Sequence, residues 1–154
     1  MKKYIGTKMI EATPMSRGEY NRYRGWTIPE NENPADEGYL FKYSDGYESW
    51  SSKKQFEETY RECDNMTFGL AIEMIKEGKK VARKGWNGKG QYIQLATGIS
   101  YKSTGGEIIN CEHDAIGNKA IAFVGTSGVQ MGWLASQADM LAEDWFVVSE
   151  ACCK

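Results

Sequence analysis

Between Arg83 and Gly90 the chain reads Arg-Lys-Gly-Trp-Asn-Gly-Lys-Gly, so three cations, an indole and a carboxamide share one turn. Three glycines keep that turn sterically open. Bare backbone together with Arg83, Lys84 and Lys89 suits phosphate oxygens, and a Trp held at a glycine bend offers a flat face to a base. The stretch contains no Ser, Cys, His, Asp or Glu, so it lacks an ordinary nucleophile or general base. Its chemistry is that of holding a phosphorylated ligand. A solvated hairpin end is the competing reading. If Arg83 lies in a strand, its side chain faces away from that of Lys84, and only one of the two reaches a ligand directly.

A second constellation lies at Trp133, just before Ser136-Gln137-Ala138-Asp139. Ser136 opens a short helix, whose unpaired N–H groups and partial positive charge favour an anion. A ring beside such a site matches a nucleotide, with the base on the indole and phosphate at the helix; stacking contributes about 1–3 kcal/mol per base. Asn87, Gln137 and Asp139 can hydrogen-bond ribose hydroxyls or a base edge, although Asp139 serves equally well as a helix cap. Trp50 and Trp145 read as packing residues, the latter because it opens an apolar strand. Glu107, Glu112, Asp114, Glu143 and Asp144 show no paired-acid pattern, and His113 reads as a loop residue. The turn at Gly85 to Gly90 is not a Walker loop, since the Gly-Lys-Ser/Thr ending and the following helix are missing. No catalytic residue and no cofactor are expected.

The four cysteines, Cys63, Cys111, Cys152 and Cys153, form no Cys-x-x-Cys pair, and His113 is the single histidine. That set does not make a structural zinc site, and unpaired thiols suit a reducing compartment. A formal charge of −2 over 154 residues argues against a nucleic-acid polymer as partner. The start, Met1-Lys2-Lys3-Tyr4-Ile5-Gly6, lacks the apolar run of a signal peptide, and no stretch approaches a membrane span. A soluble intracellular protein without a membrane partner is expected.

Two units must position these groups, residues 1–63 and 64–154. The first predicts a strand from Lys8 to Ala12 stopped by Thr13-Pro14, a short helix from Ser16 to Arg24, and a loop over 29–38. Tyr39 to Tyr43 and Tyr47 to Trp50 then flank the hairpin turn Ser44-Asp45-Gly46. Ser52-Lys53-Lys54-Gln55 fits a capping box opening a helix to about Glu62. In the second unit, Asn65 or Thr67 caps a helix whose Phe68, Ala71, Ile72 and Ile75 share one face, and Gly78 ends it. Strands are expected at Lys80 to Arg83, Gln91 to Leu95, Ala120 to Val124, Val129 to Trp133 and Trp145 to Val148. A short helix is expected from Ser136 to Ala142, with Asp139 in the capping-box position. The fold class is α+β: a small, mainly antiparallel sheet with two or three short helices, plus a small N-terminal α+β appendage.

Two long motifs carry a resemblance. Gly-Lys-Lys-Val-Ala-Arg-Lys-Gly-Trp-Asn-Gly-Lys-Gly at 78–90, after Met66-Thr67-Phe68-Gly69-Leu70-Ala71, resembles the phage-encoded Thoeris anti-defense sponges of the second type. So does Gly-Trp-Leu-Ala-Ser-Gln-Ala-Asp-Met-Leu-Ala-Glu-Asp-Trp at 132–145. The likeness covers residues 64–149; residues 1–63 lie outside it and look like an accessory module. It implies a non-enzymatic protein in the cytoplasm of the infected host that captures cyclic nucleotide immune signals. The family's ligands are cyclic ADP-ribose isomers, and some members also hold cyclic dinucleotides in a separate pocket, which would extend the effect to CBASS-type immunity. Members look like α+β homo-oligomers, dimers or tetramers, with ligand between protomers. By that likeness Trp86 and Trp133 stack on the ligand, with Arg83, Lys84, Asn87, Ser136, Gln137 and Asp139 around it. The stretch 96–119 has no placed counterpart. The alternative is a phage structural or interaction module whose aromatic residues form a protein–protein surface without a nucleotide.

Overall fold

A computed structural model of the chain describes residues 1–98, 100–109 and 119–148. The fold is α+β, and it divides into two compact units, Met1–Arg61 and Glu62–Lys154. The sequence features assigned to Cys111, Glu112, His113, Asp114, Cys152 and Cys153 lie outside the described residues.

In the first unit β1 (Glu11–Pro14), β2 (Gly38–Lys42) and β3 (Glu48–Ser52) form an antiparallel sheet in that order, with α1 (Arg17–Tyr23) and α2 (Lys53–Thr59). The first strand starts later than the sequence predicts and runs through Pro14, which sits opposite Tyr39. An edge strand tolerates a residue without an N–H, so the proline does not stop it. Ser16 and Glu19 close a reciprocal capping box at the start of α1. Ser52, by contrast, makes no side-chain bond to the α2 backbone; its hydroxyl meets Gln55 Oε1 at 3.2 Å, and the helix ends at Thr59. Arg17 ties the unit together. Its guanidinium carbon lies 5.0 Å from the Trp50 ring centroid, and its Nε donates to Glu32 at 2.9 Å. Asn21, buried, donates to the same carboxylate.

The second unit is built on a five-stranded antiparallel sheet, ordered β10-β4-β5-β8-β9. Its strands are β4 (Val81–Arg83), β5 (Tyr92–Ala96), β8 (Ala120–Gly125), β9 (Gly128–Met131) and β10 (Trp145–Val147). The segment between β5 and β8 carries a separate hairpin, β6 (Tyr101–Lys102) and β7 (Ile108–Ile109). The sequence predicts no strand there; Gly106, at φ +90, makes the turn. Helix α3 (Phe68–Lys76) is capped by Thr67, whose hydroxyl accepts from Leu70 N–H, and Gly78 at φ +83 ends it. Its face Ala71, Met74 and Ile75 packs with Met66, Val81, Ile93 and Trp145 as a fully buried core. Trp145, fully buried, anchors that core. The last helix, α4 (Gln137–Met140), is a single turn.

Candidate functional site

Three elements converge beside the core of the second unit: the 83–90 turn after β4, the end of β9, and α4. Antiparallel pairing places Arg83 opposite Trp145, which brings the turn next to the residues that precede β10. At the end of β9 the carbonyl of Ile121 accepts from both Gly132 N–H at 3.1 Å and Trp133 N–H at 3.0 Å. Gly132 takes φ +76, a conformation that glycine adopts without a Cβ penalty. This bulge-like irregularity re-aims the strand end and turns Trp133 onto the core.

There Trp133 meets Trp86. Their centroids are 5.9 Å apart at 72°, edge to face. Trp86 also meets Phe123 at 5.4 Å and Trp145 at 5.3 Å, both edge to face, while Trp133 lies nearly parallel to Phe123 at 6.5 Å. Both indoles pack against the core yet are only half-buried. Within one protomer they form a corner, not two parallel plates. That corner leaves each ring's accessible face bordered by the edge of the other.

Asp139 is the hub. Its Oδ1 accepts from Arg83 Nη1 at 2.8 Å and Trp86 Nε1 at 3.0 Å; its Oδ2 accepts from Ser136 N–H at 3.0 Å and Ser136 Oγ at 2.7 Å. Four donors fill the acceptor capacity of a carboxylate. Its backbone carbonyl takes a fifth, from Trp145 Nε1 at 3.0 Å. One residue thus fixes both the buried and the half-buried indole. Burial pushes the Asp139 carboxyl up, but the hydrogen bonds from Trp86, Arg83 and Ser136 outweigh it and hold the group well below the usual carboxylate range. The cap alternative for Asp139 is thereby realised: Ser136 and Asp139 close a capping box at α4.

Arg83 is held on its other side by Asp144, whose Oδ1 accepts from Nε at 2.9 Å. These bonds, Asp144 first, raise the Arg83 pKa above its ordinary value. Asp144 is lowered by the Arg83 guanidinium, against burial, with help from the Gly85 N–H. The cation expected to face a phosphate is therefore engaged between two carboxylates. Lys84 points elsewhere, as strand alternation requires, to Asn65 Oδ1 at 2.9 Å and Asp64 Oδ2 at 3.4 Å, and stays exposed. Asn87, Lys89, Ser136 and Gln137 are exposed. The structure thus gathers Trp86, Trp133, Arg83, Ser136 and Asp139 in one cluster; Asn87 and Gln137 are exposed next to its members in the chain, and Lys84 is turned away toward Asn65 and Asp64. Sequence reasoning missed Asp144 and Phe123. The register Arg83–Trp145 was the signal for Asp144, because it places the residue before Trp145 beside the turn. Among the described residues, no three His, Cys, Asp or Glu side chains gather as a metal-binding group.

The sequence profile of the Thoeris anti-defense 2-like domain matches residues 66–148, over half of the chain. The chain belongs to the Thoeris anti-defense 2-like family. A protein of Bacillus phage SP01 named Thoeris anti-defense 2 is 40% identical over 89 residues, spanning 54% of this chain and 96% of that relative. The family domain thus includes the 83–90 turn, Trp133, α4 and Asp144, and excludes the first unit. The alignment covers almost the whole of the phage relative, and the family profile leaves residues 1–65 outside it. Family membership places the chain among anti-defense proteins.

Proposed function

We propose that this phage protein binds and sequesters a cyclic nucleotide immune signal in the host cell, a cyclic ADP-ribose isomer in the first instance, without degrading it. Thoeris-type immunity is blocked because the messenger is withdrawn. A cyclic dinucleotide is a second candidate ligand, and its capture would extend the effect to CBASS-type immunity. The observation that carries this reading is the half-buried Trp86, its indole N–H fixed on Asp139 and its ring at a corner with Trp133, within a family anti-defense domain.

Ligand contacts are assigned to the ring surfaces of Trp86 and Trp133 and to the exposed polar groups Asn87, Ser136 and Gln137, while Lys84 reaches a ligand only by leaving Asp64 and Asn65. Arg83 and Asp139 support the rings from behind. Nothing in the cluster offers a nucleophile with an adjacent base: Ser136 caps a helix and bonds a carboxylate that four donors saturate. Binding without turnover is the chemistry this set supports. A dissociation constant near 1 nM corresponds to about −12 kcal/mol, so the stacks need a pre-formed, water-poor pocket to reach it.

A second copy supplies that enclosure. Among the described residues, edge strand β9 has no neighbour on its outer side, and every residue in it is exposed. Val129, Met131, Leu134, Met140 and Leu141 lie on or after that edge, with Leu134 88% and Leu141 81% exposed. Large apolar side chains so exposed, next to Trp133, mark a protein-facing surface. A homo-oligomer that covers them encloses the ligand between protomers. The same exposed surface favours the alternative reading, an interaction module without a nucleotide. Trp133→Ala separates the two: loss of nucleotide binding with unchanged assembly supports sequestration, whereas changed assembly in a protein that never bound nucleotide supports the alternative. Heating the loaded protein should return intact messenger, and a hydrolysed product would reveal an enzyme.

A further inference from the structure

Asp144 touches neither indole, yet it controls the backbone that carries one of them. Its Oδ2 accepts from Gly85 N–H at 2.8 Å, its Oδ1 from Arg83 Nε at 2.9 Å, and its own carbonyl from Lys84 N–H at 3.2 Å. Three consecutive residues leading into Trp86 are therefore held by one. The opposite side of the same guanidinium reaches Asp139, which receives the Trp86 N–H. Two routes thus run from Asp144 to Trp86, one through Gly85 and the main chain, the other through Arg83 and Asp139. The fit at Gly85 is close: a Cβ there would stand 3.0 Å from Asp144 Oδ2 and 3.2 Å from an Arg83 nitrogen.

The remaining neighbours of the Trp86 ring are Phe123, Trp133 and Trp145, all edge to face. Edge-to-face ring contacts favour particular geometries but weakly, and they set chiefly how deep the ring sits. The one hydrogen bond of the ring, at Nε1, adds the sharper constraint on its rotation, and its acceptor is held by Arg83 on one oxygen and Ser136 on the other. We propose that Asp144 is a positioning residue for the nucleotide site, fixing the orientation of Trp86 through Arg83 and Gly85 without contacting the ligand. This rests on the reading of Trp86 as a stacking surface.

The test uses the full chain, 15N-labelled, with cyclic ADP-ribose and its isomers as probes. Asp144→Asn keeps the shape but faces Gly85 N–H with a second donor if its oxygen stays on Arg83. Arg83→Lys keeps one charge and loses the fork. In both variants the free protein should show a displaced Trp86 indole N–H resonance, while that of Trp50, bonded to the Met15 carbonyl in the first unit, stays in place. Affinity for the probe bound by wild type should fall by at least about tenfold. A fall in affinity with an unmoved Trp86 resonance overturns the proposal, because Asp144 would then act on the ligand directly. So does a displaced resonance with unchanged affinity, or no change in either. Wild type that binds none of the probes overturns the nucleotide reading, and the proposal with it; binding by wild type with unaffected variants overturns the proposal alone.

Discussion

Asp139 carries a structural role within the candidate site. Its carboxylate satisfies donors from three residues, and its carbonyl a fourth residue. Asp139→Ala leaves Arg83 and the Trp86 N–H without that acceptor in a partly buried place. It should lower the stability of the second unit by about 3 kcal/mol, read from the urea midpoint. Trp145→Ala removes the largest buried side chain and should cost about 3–5 kcal/mol by the same measurement. In the first unit Glu32 carries the acid sensitivity. The bonds from Arg17 and then Asn21 lower its pKa from 4.5 to about 2. A depressed carboxylate contributes stability above its unfolded pKa, and loses it as pH falls toward the folded one. Unfolding of the first unit should therefore become easier between pH 4.5 and about 2, and Glu32→Gln should flatten that limb. The identity of Trp86 and Trp133 as a pair was legible in sequence, since both sit where glycine interrupts a strand. The hub was not. Four donors reach Asp139 from residues as distant as Arg83, and only strand register brings them together.

The elements themselves followed local rules where those rules acted alone. The α3 stripe, the Thr67 cap and the Gly78 stop are visible in sequence because each works within one or two turns. Gly78→Ala should lower the melting temperature of the second unit, at about 1 kcal/mol, since φ +83 strains any residue with a Cβ although nothing crowds it there. Thr67→Ala should have an effect of similar size. Local reading failed where position within a sheet decides the outcome. Pro14 stays in β1 because that strand is at an edge, and Ser52 fails as a side-chain cap because it also ends β3 and directs its hydroxyl to Gln55. The β6–β7 hairpin escaped notice because two residues a side are too few to show alternation.

At the scale of the whole molecule, the family domain at 66–148 lies within the second unit, and the match to the phage relative covers 96% of that relative. A chain comprising residues 62–154 should therefore fold and retain the ligand affinity of the full protein, measured by calorimetry. Leu134→Asp with Leu141→Asp should shift the sedimentation coefficient toward a monomer and weaken ligand binding together, if a second copy closes the site. No described helix is long and apolar enough to cross a membrane. The measurement that bears most directly on sequestration is native mass spectrometry of the full chain with a panel of cyclic ADP-ribose isomers and cyclic dinucleotides. The predicted result is an oligomer carrying at least one of these compounds at its intact mass, released unchanged on heating and lost in Trp133→Ala. A spectrum in which no compound is retained, or in which only a cleaved product appears, contradicts it.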